Sequence, residues 1–465
     1  MNYRKSSYTI TVCVDEKDKQ YMLIHGYTGA IDLVSEQLLV TLNSFSNENE
    51  FEPEILQVLI DRGYLTEKTE EEEQEYFKRL ATALFRKETL MQKGFTFLVT
   101  YNCNFCCPYC YEKDISAEKA VFTKEMVDKA YRAITEISSD ERLCAKNITL
   151  YGGEPLLKEN KEIVFYIVKR GKEYDFTFSA ISNGYDLDYY EDLLSPEYIK
   201  QIQITIDGIS QRHNQRRIHR YGIPTFDKIV NNIGLALNKG VQVCVRVNTD
   251  KNNANDLEEL QRVFTDLHYM DNALFSVDSA LLKSYSDDTK NIYQYFSEKE
   301  FIAWHKTHNL KISCQDYGTY RRIYSAIKQA KPLAFRPIFC GAQTSGFVLD
   351  PLGNIYTCWE VVNRKEHCIG SYMANDEIVW NTDILDKWRQ VHIIHNASCS
   401  KCKYALLCGG GCPALNFTEH HCIHMEDIVR YAATKAYLST GVTSSFFFRR
   451  TECTSFVPLP EKMVA

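Results

Sequence analysis

The sequence predicts an α/β protein: a partial (β/α)6 barrel at its centre, a small α+β unit before it and a cysteine-rich domain after it. Three observations predict this. Strand-like and helix-like patterns alternate between about residues 95 and 280, which argues for a parallel sheet covered by helices. A short stretch of strand-like alternation followed by apolar residues at helical spacing fills residues 8–65. From about 336 to 425, cysteines and glycines crowd short loops with little periodicity, a texture that needs cross-links or metal to hold its shape.

The first unit is placed at residues 1–90. Residues 8–14 alternate apolar and polar, Asp15-Glu16-Lys17-Asp18-Lys19 makes a polar turn, and residues 21–25 return. Helical spacing follows at 31–42 and 55–60, and Gly63 marks a helix end. The acidic run 67–75 is expected to be a solvated helix face or linker. In the barrel segment, 91–310, strands are expected at 95–101, 147–151, 176–182, 201–207, 241–248 and 273–278. Helices are expected at 124–137 and 226–238, the second with Thr225 at its start and Gly240 past its end. In such barrels functional groups sit at the carboxyl ends of strands. Residues 311–335 are expected to be a linker, 336–430 the cysteine-rich domain and 431–465 a terminal helix and tail.

Bulk properties narrow the function. A net charge of −7 gives no global attraction to nucleic acid or to an anionic membrane. The start of the chain lacks the apolar core of a signal peptide, and no apolar run approaches the roughly 18 residues of a membrane span. The expectation is a cytoplasmic protein with no nucleic-acid or membrane partner. In that compartment 17 clustered cysteines point to zinc or iron–sulfur sites rather than disulfides.

Directly after the first barrel strand stands Cys103-Asn104-Phe105-Cys106-Cys107-Pro108-Tyr109-Cys110. Cys103, Cys107 and Cys110 give C-x3-C-x2-C, and Cys106 falls outside that spacing. Three thiolates on one loop can hold three irons of a [4Fe–4S] cube, leaving the fourth open. Zinc is the alternative, but it wants four ligands, and no second pair or histidine stands nearby. Tyr151-Gly152-Gly153-Glu154-Pro155, Ser182-Asn183-Gly184, Thr205-Ile206-Asp207-Gly208, His213-Asn214-Gln215-Arg216-Arg217 and Val245-Arg246-Val247-Asn248 follow in order at strand ends.

Over residues 95–250 this set resembles the radical S-adenosylmethionine (SAM) superfamily, with Tyr109 in the aromatic position of its cysteine signature. The resemblance implies that Cys103, Cys107 and Cys110 hold the cluster. It also implies that Tyr109, Gly152, Gly153, Glu154, Ser182, Asn183, Thr205, Arg217 and Arg246 contact SAM, with Glu154 receiving the methionine ammonium. Asn214 stands where the family usually has Asp.

The later cysteines resemble the SPASM auxiliary-cluster module of peptide-modifying radical SAM enzymes. They are Cys340, Cys358, then Cys399-x2-Cys402-x5-Cys408-x3-Cys412 around Gly409-Gly410-Gly411, then Cys422. Carried over, Cys399, Cys402, Cys408 and Cys422 would hold a distal cluster, and Cys340, Cys358 and Cys412 a proximal one. The implied cofactors are three [4Fe–4S] clusters and SAM. The stretch Ala330-Lys331-Pro332-Leu333-Ala334 lacks the further cysteine many relatives carry, so the proximal cluster is left with three thiolates unless Cys314, Cys368 or Cys453 closes it. A structural zinc ribbon is the alternative here.

Residues 1–90 resemble, more loosely, the winged-helix-like domain that binds leader peptides of ribosomal natural products. A DNA-binding winged helix is disfavoured by the missing basic recognition helix. The implied activity is hydrogen abstraction from a ribosomally made precursor peptide and installation of a cross-link, thioether first, with C–C and C–O as alternatives. The implied electron donor is of the flavodoxin or ferredoxin type. An anaerobic sulfatase-maturating enzyme and a non-catalytic electron carrier are the competing readings. Sulfatase-maturing relatives carry an Asp base after the cysteine matching Cys358, whereas this chain has Trp359 and then Glu360, the one candidate for a base.

Overall fold

A computed structural model describes residues 3–112, 119–284, 293–308, 310–374, 377–417 and 420–442. The chain opens with β1 (Arg4–Lys5), β2 (Thr9–Asp15), β3 (Gln20–His25) and β4 (Ile31–Ser35), then α1 (Glu36–Asn43), α2 (Pro53–Asp61), β5 (Leu65–Thr66) and α3 (Glu70–Thr89). β2, β3 and β4 form an antiparallel sheet in that order, and β1 pairs with β5. The β2–β3 turn closes because Asp15 accepts from the amides of Lys17 and Asp18, each at 3.0 Å.

Two expectations are corrected here. Residues 31–35 are a strand, and helix begins only at Glu36, where Ser35 caps the Leu38 amide at 3.3 Å. Ile31, Leu33 and Val34 fit either period, and pairing with β3 decides it. The acidic run is the start of α3, capped reciprocally by Thr69 and Glu72. It is not wholly solvated. Glu73 is fully buried, accepting from Arg4 at 2.9 Å, Tyr27 at 2.9 Å, the Ser7 amide at 3.1 Å and the Ser6 hydroxyl.

The central sheet holds β6 (Lys93–Thr100), β7 (Cys144–Gly152), β8 (Thr177–Ser182), β9 (Ile199–Thr205), β10 (Gln242–Thr249), β11 (Phe275–Leu281) and β12 (Ser313–Cys314). Each is parallel to its predecessor, as strand–helix alternation requires. Between them run α4 (Lys124–Ile137), α5 (Lys161–Lys172), α6 (Ser210–Arg216), α7 (Phe226–Asn238), α8 (Asp256–Asp266) and α9 (Glu298–Thr307). Residues 311–335 carry β12 and α10 (Thr319–Gln329). On the other edge β6 pairs in parallel with β13 (Gly346–Leu349). The sheet continues antiparallel through β14 (Asn354–Tyr356), β15 (Gly370–Ser371) and β16 (Val379–Trp380). Among the described residues its ends are β12 and β16, so the sheet they form is open.

Among the described residues the last helices are α11 (Thr382–Gln390), α12 (Ala405–Cys408) and α13 (Met425–Thr440). By compactness the chain divides into residues 1–90, 316–344 and 389–465 on one side and 91–315 and 345–388 on the other. In the first unit α13 packs on α10 and β2. Tyr8, Tyr27, Phe77, Leu80, Ile393 and Leu406 share one core there, so the N-terminal sheet and the late cysteine segment bury apolar surface together. In the second unit Leu98, Tyr101, Val348, Tyr356 and Val362 pack the β6–β14 side of the sheet. Among the described residues no helix is long and apolar enough to cross a membrane.

Candidate active site

The cysteine loop leaves the carboxyl end of β6 and is gripped on both sides. The Gly153 amide donates to the Thr100 carbonyl at 2.9 Å and the Glu154 amide to the Asn102 carbonyl at 2.8 Å. A Cβ on Gly152 would stand 2.3 Å from the Thr100 oxygen, and one on Gly153 would stand 2.4 Å from the Asn102 oxygen. Both glycines therefore serve close approach of the β7 turn to the backbone that presents Cys103. Opposite, the Cys106 amide donates to Ile218 and the Arg220 amide to Asn104, each at 2.8 Å. The Arg220 guanidinium donates to the Cys103 carbonyl.

Cys107 is buried, Cys103 and Cys110 are partly buried, and Cys106 is exposed with its thiol turned to the Ile218 carbonyl at 3.6 Å. Burial pushes all three motif thiols up, Cys110 to about 12; Glu154 adds to the rise at Cys103, Glu112 at Cys110, and Arg217 opposes it at Cys107. Cys103 feels the charges of Cys107 and Cys110, so the three thiols share one neighbourhood. Among the described residues no three His, Cys, Asp or Glu side chains converge where one metal ion would sit. Three sulfur donors on one loop, set apart yet within each other's field, fit a cube whose irons occupy separate corners.

Glu154 ties two strand ends together. One carboxylate oxygen accepts from the Ser182 hydroxyl at 2.8 Å and the Leu156 amide at 2.9 Å, the other from the Asn183 amide at 2.6 Å. Burial pushes it up to about 7 against the pull of those three donors. Asn183 donates to Asn104 at 2.7 Å, so the cysteine loop, the Gly152-Gly153-Glu154 turn and the Ser182-Asn183 turn form one connected site.

A second network lies under Tyr109. Its hydroxyl donates to Asp207 and accepts from Arg217 at 2.8 Å, and the Arg217 guanidinium also lies over the Phe105 ring at 5.6 Å. Arg217 therefore holds the cysteine loop's own side chains. Asp207, fully buried, accepts from the Asn248 amide at 3.0 Å. Arg216 pairs with Asp250 at 2.8 Å and lies over the Tyr293 ring at 4.8 Å. Thr205 and Arg246 face each other across β9 and β10, and Arg246 donates to Asn248 at 3.0 Å. Asp207 and Arg216 belong to motifs quoted from the sequence, yet only their neighbours Thr205 and Arg217 were expected at the site. Burial of an acid and a guanidinium is the missing signal. Asn214 accepts from the Thr225 and Phe226 amides at 2.8 and 3.2 Å and thus caps α7.

Also in the second unit, Trp359 stacks on Tyr151 at 5.2 Å, the Tyr111 and Tyr151 hydroxyls are hydrogen-bonded, and Lys283 pairs with Glu360 at 3.0 Å. Cys358 accepts from the Glu360 amide at 3.4 Å. Glu112 is buried and pushed up to about 7. In the first unit Cys399, Cys402, Cys408 and Cys422 are brought together: burial, then Cys408, Cys402 and Cys422, push Cys399 up to about 12. Cys399 also meets His420 at 3.7 Å, a neighbour that spacing did not suggest. Gly409, Gly410 and Gly411 turn the loop with φ of 75°, 90° and 84°. Cys340 and Cys412 lie in this unit and Cys358 in the other. Cys314 is in β12, Cys368 meets the Gly370 carbonyl at 3.3 Å, and Cys453 lies outside the described residues.

The sequence profile of the Radical SAM superfamily matches residues 97–263. An S-adenosylmethionine-dependent nucleotide dehydratase of Fibrobacter sp. (strain UWH6) is 28% identical over 119 residues, 25% of this chain and 34% of that protein. The chain thus spans about a third of that relative's length. A cysteine-type anaerobic sulfatase-maturating enzyme of Clostridium novyi (strain NT) is 22% identical over 324 residues, 67% of this chain and 85% of that enzyme. Native anSMEcpe with bound AdoMet and Kp18Cys peptide superposes with a TM-score of 0.55 at 17% identity, covering 75% of this chain and 99% of that one. Profile and fold likeness agree: residues 97–263 match a radical SAM domain, and the chain has the α/β radical SAM fold.

Proposed function

We propose that the chain is a radical SAM enzyme that takes hydrogen from a ribosomally made precursor peptide and installs a cross-link, a thioether ahead of C–C or C–O bonds. The observation carrying the radical chemistry is the connected site of Cys103, Cys107, Cys110, Glu154, Ser182 and Asn183. A [4Fe–4S] cluster at the three thiolates together with SAM would supply a radical able to attack an unactivated C–H bond. Glu154 would hold the methionine amino group, its orientation fixed by Ser182 and the Asn183 amide. Tyr109, Asp207 and Arg217 keep the cysteine loop in place, and Gly152 and Gly153 let the β7 turn reach it. Trp359 and the Lys283–Glu360 pair would face substrate, with Glu360 the candidate base.

Two auxiliary clusters at Cys399, Cys402, Cys408 and Cys422 and at Cys340, Cys358 and Cys412 would make three in all, fed by a flavodoxin- or ferredoxin-type donor. The antiparallel sheet β2–β3–β4 with α1–α3 supports leader binding by strand addition. Ten thiolates are two short of the twelve that three fully thiolate-ligated cubes take. One vacancy would serve SAM, and the other, at Cys340, Cys358 and Cys412 unless Cys314, Cys368 or Cys453 closes it, would favour a thioether. Anaerobically reconstituted enzyme, SAM, dithionite and a cysteine-containing candidate precursor peptide should yield 5′-deoxyadenosine and a peptide lighter by two hydrogens. SAM cleavage without any peptide change would defeat the peptide reading. The sulfatase-maturating reading is favoured by the length of that relative matched here. Trp359 after Cys358 speaks against it, and oxidation of a sulfatase-derived cysteine peptide would establish it.

A further inference from the structure

Two arginines of the first unit flank the Cys408 segment, and the one carboxylate whose charge acts on either of them, Asp316 on Arg322, forms no ion pair with it. Arg322, on α10, donates to the Leu407 carbonyl at 2.8 Å, the residue before Cys408, and to the Ala334 carbonyl at 3.4 Å. Its Nε is buried without a hydrogen-bond partner. The Arg336 amide donates to the Leu406 carbonyl at 2.7 Å, and its guanidinium donates to the Tyr317 carbonyl at 2.9 Å and to the Phe339 carbonyl beside Cys340. The segments are in backbone contact, since a Cβ on Gly409 would stand 2.4 Å from the Ile338 oxygen.

Apart from the Thr319 hydroxyl at 3.4 Å, these acceptors are neutral carbonyls, and among the described residues neither arginine makes an ion pair. Asp316 is occupied by the Gly318 and Tyr320 amides at 2.9 and 2.8 Å. Burial lowers Arg322 to about 10, with Arg336 the next cause, and burial lowers Arg336 too. Besides Asp316 at Arg322, the groups that favour their charge are the Cys408 thiolate at both, and the Cys340 thiolate and Tyr317 at Arg336. Both arginines are partly buried, and two adjacent desolvated cations are unfavourable unless an anion sits beside them. A thiolate-ligated cluster is such an anion, and each electron it accepts adds one negative charge.

We propose that Arg322 and Arg336 form an electrostatic seat for the auxiliary iron–sulfur cluster ligated by Cys408, raising its reduction potential so that it serves as an electron acceptor. This rests on the reading that Cys399, Cys402, Cys408 and Cys422 hold such a cluster. The acceptor role balances the cross-link. Joining a thiol to a carbon radical forms one C–S bond and breaks one S–H bond, releasing one proton to water and one electron to the oxidised cluster.

The test is a redox titration of the reconstituted full-length enzyme followed by electron paramagnetic resonance, with iron counted per chain. Arg322→Gln and Arg336→Gln should each move the auxiliary midpoint to more negative potential by a tenfold or greater change in the reduction equilibrium, about 59 mV for one electron. Arg322→Lys and Arg336→Lys, which keep the charge, should stay near wild type. Full iron and an unmoved midpoint in the Gln variants would overturn the proposal. If the Gln variants lose iron, retention in the Lys variants upholds it, and loss in both assigns the arginines to hydrogen bonding alone and overturns it. Wild-type enzyme with only the iron of one cluster would instead defeat the auxiliary-cluster reading beneath it.

Discussion

Glu154 is caught between two demands. Three donors converge on its carboxylate and favour the charged form, while burial favours the neutral one and prevails, holding it at about 7 against an ordinary 4.5. Because the folded value is raised, this group's stabilising effect is complete below about pH 4.5 and is lost as pH rises through about 7. At about 1.4 kcal/mol per unit, the swing is about 3.5 kcal/mol at most. The metal-free protein should therefore lose thermal stability across that window, and Glu154→Gln should flatten part of the loss, Glu112 supplying the rest. An unchanged pH profile in the variant would refute the assignment. At neutral pH the same change turns an amide N–H toward one of the three donors, costing about 1–3 kcal/mol and weakening SAM binding about tenfold in calorimetry. Gly153→Ala acts through space alone: its Cβ would lie 2.4 Å from the Asn102 oxygen and 2.7 Å from its carbon, neither of which can swing aside. The variant should lose about four irons per chain by displacing the Cys103 backbone. Full iron content would mean that the loop tolerates the push.

At the scale of elements, α7 illustrates what the sequence disclosed and what it withheld. Its span was legible because buried apolar residues recur at helical spacing from Phe226 to Leu237. Its cap was not. Thr225 caps nothing with its side chain; Asn214, eleven residues earlier on α6, accepts from two of the helix's first amides. Asn214→Ala should cost about 1 kcal/mol in thermal or denaturant unfolding. Asn214→Asp should be neutral or stabilising, since a carboxylate suits a helix N-terminus. Equal losses in both variants would contradict the capping role. The six central strands were likewise legible: β7, β8 and β10 alternate buried apolar residues with partly exposed ones at a period of two, and β6 is a nearly continuous buried apolar run. Residues 31–35 were misread because five apolar-rich residues satisfy two periods, and only a partner strand chooses. The cysteine motif, Glu154 and Ser182 were readable as short motifs at strand ends. Asp207, Arg216 and the Arg322–Arg336 pair were not, because their meaning lies in burial and in partners distant along the chain.

For the whole molecule, the boundary near residue 90 invites the idea that residues 1–90 can be removed without touching the clusters. The first unit's core contradicts that idea. The Tyr8 hydroxyl donates to the Ser400 carbonyl at 3.2 Å, between Cys399 and Cys402, and its ring stacks on Phe77 at 4.9 Å. A Cβ on Gly26 would stand 2.3 Å from the Lys403 oxygen. Ile393, Ala405 and Leu406 are buried against Tyr8, Tyr27 and Phe77. Deleting residues 1–90 uncovers those side chains and frees the turn that carries two cysteines, at a cost that no other described element offsets. The truncated chain should lose about four irons. Cleavage of SAM should persist, because residues 97–263 lie in the other unit. Gly26→Ala tests the same coupling without truncation. It should lower iron at the Cys399–Cys402 turn while leaving 5′-deoxyadenosine formation near wild type. A truncated chain that kept its full iron and sulfide would show that the late cysteine segment holds its shape alone, and that the shared core contributes stability without shaping the cluster site.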